Sequence, residues 1–271
     1  MVSTHLLLPF PIACNVPYAR YEVHFKVNTF FAVAYDFAYL SLLINFPFHY
    51  FRTSFYDISL YTSIISLTAD YASIFFPSYL LRARDPIHNP DAPRAAVPNR
   101  NIINDFTTML GASIFAAGIY SIVLLISYRT FLPSFLVIHF DGLRTVAQAH
   151  NSQIPSLVLS SIPIGYAVSD FILWHYISVQ PNTGDAVQTA FNPATATLSE
   201  TFFYNVWGYS KRTRVLLSRT LTLAVLTGLN TWFRTWTSLE GAESVGAAGW
   251  AGVWTVATII VGAVFSWVGN V

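Results

Sequence analysis

Four charged residues within apolar segments are the residues of this sequence best able to do chemistry: Asp36, Asp70, Asp170 and Arg219. An ionised side chain at the bilayer centre costs roughly 2.5–3.5 kcal/mol, so such residues usually face the interior of a helix bundle and have partners. Measured along their segments, all four lie near the midplane or in the same half of the membrane. The sequence therefore predicts one polar intramembrane cluster.

Three carboxylates and one guanidinium leave this cluster with two surplus negative charges, which protonation or a bound cation would neutralise. One hypothesis is a proton- or cation-linked transport path, with Asp36 and Asp70 as carriers and Arg219 as a fixed counter-charge. Pro163 and Gly165 favour it, because they interrupt the helix beside Asp170. The other hypothesis, which we prefer, is a buried ion pair that only fixes the bundle.

A second candidate for chemistry is the pair His139 and Asp141, near the opposite face of the membrane. An imidazole and a carboxylate can form an acid–base or metal site, which leaves an intramembrane or lipid-modifying enzyme as a third hypothesis. Their spacing matches no recognised ligand motif, and no nucleophile elbow, P-loop or dinucleotide fingerprint is present. Cys14 is the single cysteine. The sequence thus predicts no metal and no cofactor, and it favours a non-enzyme.

The composition is that of a chain embedded in lipid. Charged residues make up 10% of the sequence and apolar residues 54%, whereas an average soluble domain has about 25% charged residues. A lipid-facing surface removes the need for polar cover. The net charge of +1 gives no sign of nucleic-acid binding. Membrane lipids are therefore the expected surroundings.

The elements that position these residues are six apolar segments, each long enough to span a bilayer as a helix. They predict an all-α, polytopic transmembrane bundle over residues 27–268, preceded by a cytosolic or interfacial segment at 1–26. The apolar stretch at 131–138 is too short to span, and we interpret it as an interfacial or re-entrant segment. The predicted spans are 27–48, 57–81, 106–128, 155–177, 214–233 and 244–268.

The basic residues of the loops predict the orientation, because cytosolic loops are enriched in Lys and Arg. With six spans, one side of the membrane contains Arg20, Lys26, Arg82, Arg84, Arg94, Arg100, Lys211, Arg212 and Arg214, and the other contains Arg52, Arg129, Arg144 and Arg234. Both termini are therefore predicted to be cytosolic. The lack of a transit-peptide pattern favours an endomembrane, such as the endoplasmic reticulum or Golgi.

The last span has a face of small residues, through which helix backbones approach one another closely in membranes. Such a face packs within the bundle or receives a second protein. It supports our leading functional hypothesis, a non-enzymatic membrane protein that organises, assembles or scaffolds partners through its last span. The residues of this face are Ser244, Ala248, Gly252, Gly262 and Ser266.

Overall fold

The computed structural model describes residues 34–81, 85–93, 96–97, 99–179, 196–199, 201 and 211–269. Throughout these ranges the regular structure is helical, which confirms the predicted all-helical class. The one strand-like contact within them is an isolated antiparallel bridge between Phe140 and Ala242. The predicted N-terminal segment 1–26 and the beginning of the first predicted span lie outside the described residues.

The helices are numbered here in chain order over the described residues. Their bounds are α1 Ala34–Phe55, α2 Leu60–Leu81, α3 Arg100–Ile103, α4 Phe106–Arg129, α5 Leu132–His139, α6 Ala147–Asn151, α7 Ile154–Ser178, α8 Lys211–Ser238 and α9 Ser244–Val268. Within α7, a π-helical stretch at Ser169–Trp174 separates an α-helix, Ile154–Val168, from a last turn, His175–Ser178. Pro163 lies inside the first of these parts and does not end the helix.

Four helices, α2, α4, α7 and α9, are long and apolar enough to cross a membrane. The helices α1 and α8 contain 22 and 28 residues, which is also sufficient length at about 1.5 Å per residue, but they are more polar. Both extend beyond the ends expected from apolarity. Arg52 and Arg234, which the sequence places in loops, consequently lie inside α1 and α8.

The long helices alternate in direction along the chain. Helix α2 runs antiparallel to α1, since Thr53 near the end of α1 bonds to Ser63 near the start of α2. Helix α8 runs parallel to α1, because Asp36 bonds to Arg219 and, further along both helices, Asn45 bonds to Asn230. One end of the bundle, which we call the Asp36 end, therefore holds the beginnings of α1, α4 and α8 and the ends of α2, α7 and α9.

At the other end, short connections tie the helices together. The Tyr56 hydroxyl donates to the carbonyl of Glu240, and the Arg144 amide donates to the carbonyl of Phe55. The predicted interfacial or re-entrant stretch forms the eight-residue helix α5 beside α4 and α9. These contacts join the helices at the end of the bundle opposite the Asp36 end.

Glycines allow the closest contacts between helices. A Cβ on Gly165 of α7 would collide with the backbone of α4, at Ser113 and Ala117. A Cβ on Gly262 of α9 would collide with Thr220 of α8. Trp250 and Trp254 of α9 are fully buried, and they pack against aromatic side chains of α1 and α4. Part of the aromatic content of the sequence thus belongs to the core.

Candidate functional site

The centre of the polar group at the Asp36 end is a buried ion pair between α1 and α8. Arg219 donates from Nη1 to Oδ1 of Asp36 at 3.0 Å and from Nη2 to Oδ2 at 2.9 Å. Asp36 is 1% exposed and Arg219 is 6% exposed. Two parallel charge-assisted hydrogen bonds are the strongest form of this contact. They fix the rotation of α8 relative to α1.

The π-helical stretch of α7 supplies backbone acceptors to the same group. A π-turn interrupts the regular hydrogen-bond ladder and is often found at functional sites. Here the carbonyl of Phe171 accepts a bond from Arg219 Nη1 at 2.9 Å. The carbonyl of Asp170 is 3.0 Å from Nδ1 of His175. The π-helix thus joins α7 to the ion pair through main-chain atoms.

His175 connects Asp36 to Asp85 in the loop that follows α2. Its Nε2 is 2.8 Å from Oδ2 of Asp85 and 3.4 Å from Oδ1 of Asp36. Carbonyl and carboxylate oxygens only accept hydrogen bonds, so each ring nitrogen of His175 faces an acceptor. Asp36, Asp85, Arg219 and His175 thus form one contiguous polar group.

The pKa of Asp85 depends on burial and on its contact with His175. Burial alone would raise the pKa of Asp85, but the hydrogen bond and charge of His175 outweigh it. The Ile87 amide and the Arg219 charge act in the same direction, so the net pKa lies below the usual value. Asp85 is therefore a carboxylate at neutral pH.

Asp170 has a different partner, His88, from the same loop. His88 Nε2 lies 3.2 Å from Oδ2 of Asp170, without the alignment of a hydrogen bond. Burial alone would lower the pKa of His88. The adjacent Asp170 carboxylate, with Asp85 and Asp36 further away, outweighs burial and raises it. His88 thus lies beside Asp170, but the two side chains leave the hydrogen-bonding capacity of Asp170 Oδ2 unused.

Asp36, Asp85 and His175 also present three ligand atoms within 4.8 Å of one another, a spacing that a metal ion can bridge. Both Asp36 oxygens, however, already accept from Arg219, and the Asp85 oxygen already contacts His175. The nearby guanidinium would also repel a divalent cation. We therefore interpret these three residues as members of the ion-pair group.

Asp70 lies in a separate polar group nearer the middle of the bundle. Its Oδ2 accepts from Arg234 Nη1 at 2.8 Å and is 3.0 Å from Nε2 of His49. Arg234 also donates to Asn45 at 2.6 Å. The structure thus brings Asp36 and Arg219 together, places Asp170 beside them on the π-helix, and gives Asp70 a different arginine.

The residues predicted near the opposite face do not contact each other through their side chains. His139 Nδ1 pairs with Oε2 of Glu243 at 2.6 Å. Asp141 is exposed, and its backbone amide donates to the carbonyl of Gly241. Among the described residues, no group of three potential ligands forms around His139 and Asp141.

The small residues of α9 divide between the inside and the outside of the bundle. Ser244 accepts a hydrogen bond from Trp232 of α8, and Gly262 packs on Thr220 of the same helix. Ala248 is exposed, and no heavy atom in the described part of the chain lies within 4 Å of a Cβ built on Gly252. Ser266 is half-buried.

Sequence reasoning missed Asp85, His88 and His175, the loop and helix-end residues that complete the polar group. Asp85 and His88 lie in a proline-rich loop without periodicity, and His175 resembles an ordinary interfacial residue between Trp174 and Tyr176. The surplus of two negative charges was the available signal. It indicated that two of the carboxylates had further partners, and the structure places Arg234 on Asp70 and His88 beside Asp170.

Comparison with known protein families matches residues 105–268, more than half of the 271-residue chain, to the bouquet formation protein 3 C-terminal domain. The match begins just before α4 and ends with α9. It includes Asp170, His175, Arg219 and Arg234, while Asp36 and Asp70 lie before it. No curated protein and no solved structure matches the chain.

Proposed function

The chain belongs to the bouquet formation protein 3 C-terminal domain family, and from that premise we propose that it is a multi-pass membrane scaffold without catalytic activity. The family is named for bouquet formation, and we propose that this chain serves the same process. Its task is to hold a membrane partner in place. An endomembrane, such as the endoplasmic reticulum or Golgi, is the proposed location.

The observation that carries this proposal is the internal matching of the buried charges. Asp36 and Asp70 each bond to an arginine, and Asp85 and Asp170 each contact a histidine. Charge-assisted hydrogen bonds to arginine hold these carboxylates in fixed positions, which suits a structural role. Such contacts suit a bundle whose polar residues define its helix arrangement.

Six spans, with both termini cytosolic, are the proposed topology. The alternating helix directions support this count, since α1 and α8, as spans one and five, are required to run in parallel. The low hydropathy of α1 and α8 is compatible with insertion, because their charged residues pair inside the bundle. The short helix α5 is proposed to lie at the non-cytosolic interface.

Cysteine labelling tests this topology. In a Cys14→Ser background, Asp91→Cys at the Asp36 end and Glu240→Cys at the opposite end place single thiols at exposed positions. A membrane-impermeant maleimide is expected to label Asp91→Cys from the cytosol and Glu240→Cys from the other side. Labelling of both positions from one side would contradict an arrangement in which these ends face opposite compartments.

The proposed partner contact is the outer part of the α9 small-residue face, at Ala248 and Gly252. A partner helix can approach closely there, because Gly252 has no side chain and its surroundings are open. Replacing Gly252 by leucine is expected to reduce the co-purifying partner by about tenfold or more. The measurement is mild-detergent purification from native cells, with mass analysis of the stoichiometric components.

Gly118→Leu in α4 is the matched control. A Cβ at Gly118 also meets nothing within 4 Å in the described structure, so leucine fits there equally well. This variant is expected to keep the partner. Equal loss in both variants would indicate a general effect on the bundle, and equal retention would remove α9 as the partner contact.

A further inference from the structure

A cleft opens at the Asp36 end, between the loop after α2 and helices α1, α4 and α7. It has two adjoining parts, of about 300 and 450 Å³, within the size range of small-molecule sites. The inner part reaches Asp170 and Trp174, and the outer part is bordered by Tyr35, Tyr39 and Arg100. The residues common to both are Ile87, His88, Asn104 and Tyr166.

Asp170 gives the inner part of this cleft a buried carboxyl oxygen with unused hydrogen-bonding capacity. Its side chain is 7% exposed. Oδ2 makes no aligned hydrogen bond in the described structure, although His88 Nε2 lies 3.2 Å away. A buried carboxylate oxygen without a donor is costly. A ligand that brings N–H groups and positive charge would satisfy it.

Aromatic rings form a large part of the cleft walls, beside polar residues such as His88 and Asn104. Tyr39 and Tyr166 meet edge to face with centroids 5.8 Å apart, and Tyr35 lies over His88 at 4.6 Å. Trp174 and Phe106 line the inner part. Aromatic faces attract ammonium groups. The aromatic rings also suit the carbon chain of an organic amine.

The position of the cleft suggests where such an amine would come from. Asn104 and Phe106 line the cleft at the very beginning of α4, a helix long enough to cross a membrane. Phe106 is 67% exposed, as expected of an aromatic residue at the lipid–water boundary. The cleft thus lies at the depth of the lipid headgroups. This depth follows from the proposed membrane spans and does not depend on the proposed scaffold role.

We propose that this cleft binds a primary ammonium group of the ethanolamine type, with Asp170 as its hydrogen-bond acceptor and the surrounding tyrosines and Trp174 as its walls. The ammonium belongs to a phosphatidylethanolamine headgroup or to a free soluble amine. A primary ammonium fits better than a quaternary one, because Asp170 Oδ2 needs a donor and a quaternary nitrogen has none.

Native mass spectrometry of the full chain in detergent tests this proposal. Phosphatidylethanolamine, phosphatidylcholine and phosphatidylglycerol with identical acyl chains are offered at equal concentration. Wild-type protein is expected to retain the ethanolamine lipid in preference to the other two. Asp170→Asn is expected to lower this occupancy by about tenfold, the size expected for one charge-assisted hydrogen bond.

The matched control is Asp57→Asn, the same substitution at an exposed position between α1 and α2, at the opposite end of the bundle, and it should leave lipid occupancy unchanged. Competition on wild-type protein gives a result that does not depend on how the variants fold. Ethanolamine should displace the bound lipid, and choline should not. Binding of free ethanolamine without retention of the lipid would identify a soluble amine as the source.

Three results would overturn the proposal. These are a preference for the glycerol lipid, displacement by choline as effective as displacement by ethanolamine, and unchanged retention in Asp170→Asn. None of these measurements involves the protein partner. Failure of the partner experiment and failure of the ammonium site can therefore be told apart.

Discussion

Replacing Arg219 with methionine is expected to destabilise the protein by about 3–5 kcal/mol, the usual cost of breaking a buried ion pair. The substitution leaves the Asp36 carboxylate buried without its two charge-assisted hydrogen bonds. It also removes the bond from Arg219 to the π-helix carbonyl of Phe171. Unfolding of the purified protein by SDS titration, followed by circular dichroism, measures the loss.

The double variant Asp36→Asn/Arg219→Met distinguishes the effect of an unpaired buried charge from the effect of the altered side-chain shape. It removes both charges, so much of the lost stability should return relative to Arg219→Met alone. Arg52→Met is the control, because Arg52 is half-buried and its charge lies over the ring of Phe48. A loss after Arg52→Met as large as that after Arg219→Met would argue against a special role for the Asp36 pair.

The Asp36 and Arg219 variants also test the hypothesis of a proton- or cation-linked transport path. If Asp36→Asn left the stability unchanged but abolished a proton or cation flux, Asp36 would be a carrier and the scaffold proposal would lose its main support. If both single variants destabilise the protein and the double variant recovers, the pair is structural. Flux into proteoliposomes and SDS titration, applied to the same preparations, distinguish these outcomes.

Gly165→Leu is expected to cost about 3 kcal/mol, at the upper end of ordinary overpacking. A Cβ at this position would lie 2.9 Å from the backbone nitrogen of Ala117 and even closer to the carbonyl oxygen of Ser113. Backbone atoms inside a helix have little room to move, so α4 and α7 must separate. Thermal melting followed by circular dichroism measures the effect.

Gly111→Leu provides the comparison for Gly165→Leu. Gly111 lies on α4, and a Cβ built there has open space around it within the described structure. Leucine also has a higher helix propensity than glycine, so the melting temperature should stay equal or rise. A fall as large as that of Gly165→Leu would show that leucine is harmful in these helices regardless of its neighbours.

The apolar segments of the sequence predict the helices well, because length and hydropathy determine where a chain can lie in lipid. The described helix α9 covers Ser244–Val268, and the predicted span was 244–268. Hydropathy does not predict where α1 and α8 end, because Arg52 and Arg234 lie inside these helices although they are charged. Arg234 is accommodated there by its bonds to Asp70 and Asn45.

The polar group could be predicted only in part, for a geometric reason. Sequence gives the depth of a residue along its helix, but the direction of its side chain depends on how neighbouring helices are rotated. Asp36 and Arg219 meet because α1 and α8 run in parallel at matching depth. Asp70 faces the later part of α8, and therefore bonds to Arg234.

The ion pair between Asp36 and Arg219 also has a consequence during synthesis, because 183 positions separate its members along the chain. Ribosomes add about 5–20 residues per second, so roughly 10–40 seconds pass between the two. Throughout that interval the first helix carries a carboxylate whose guanidinium has not yet been made. The pairing of Asp36 must therefore wait for α8, and a nascent chain that stops short of α8 lacks the partner that a finished chain provides.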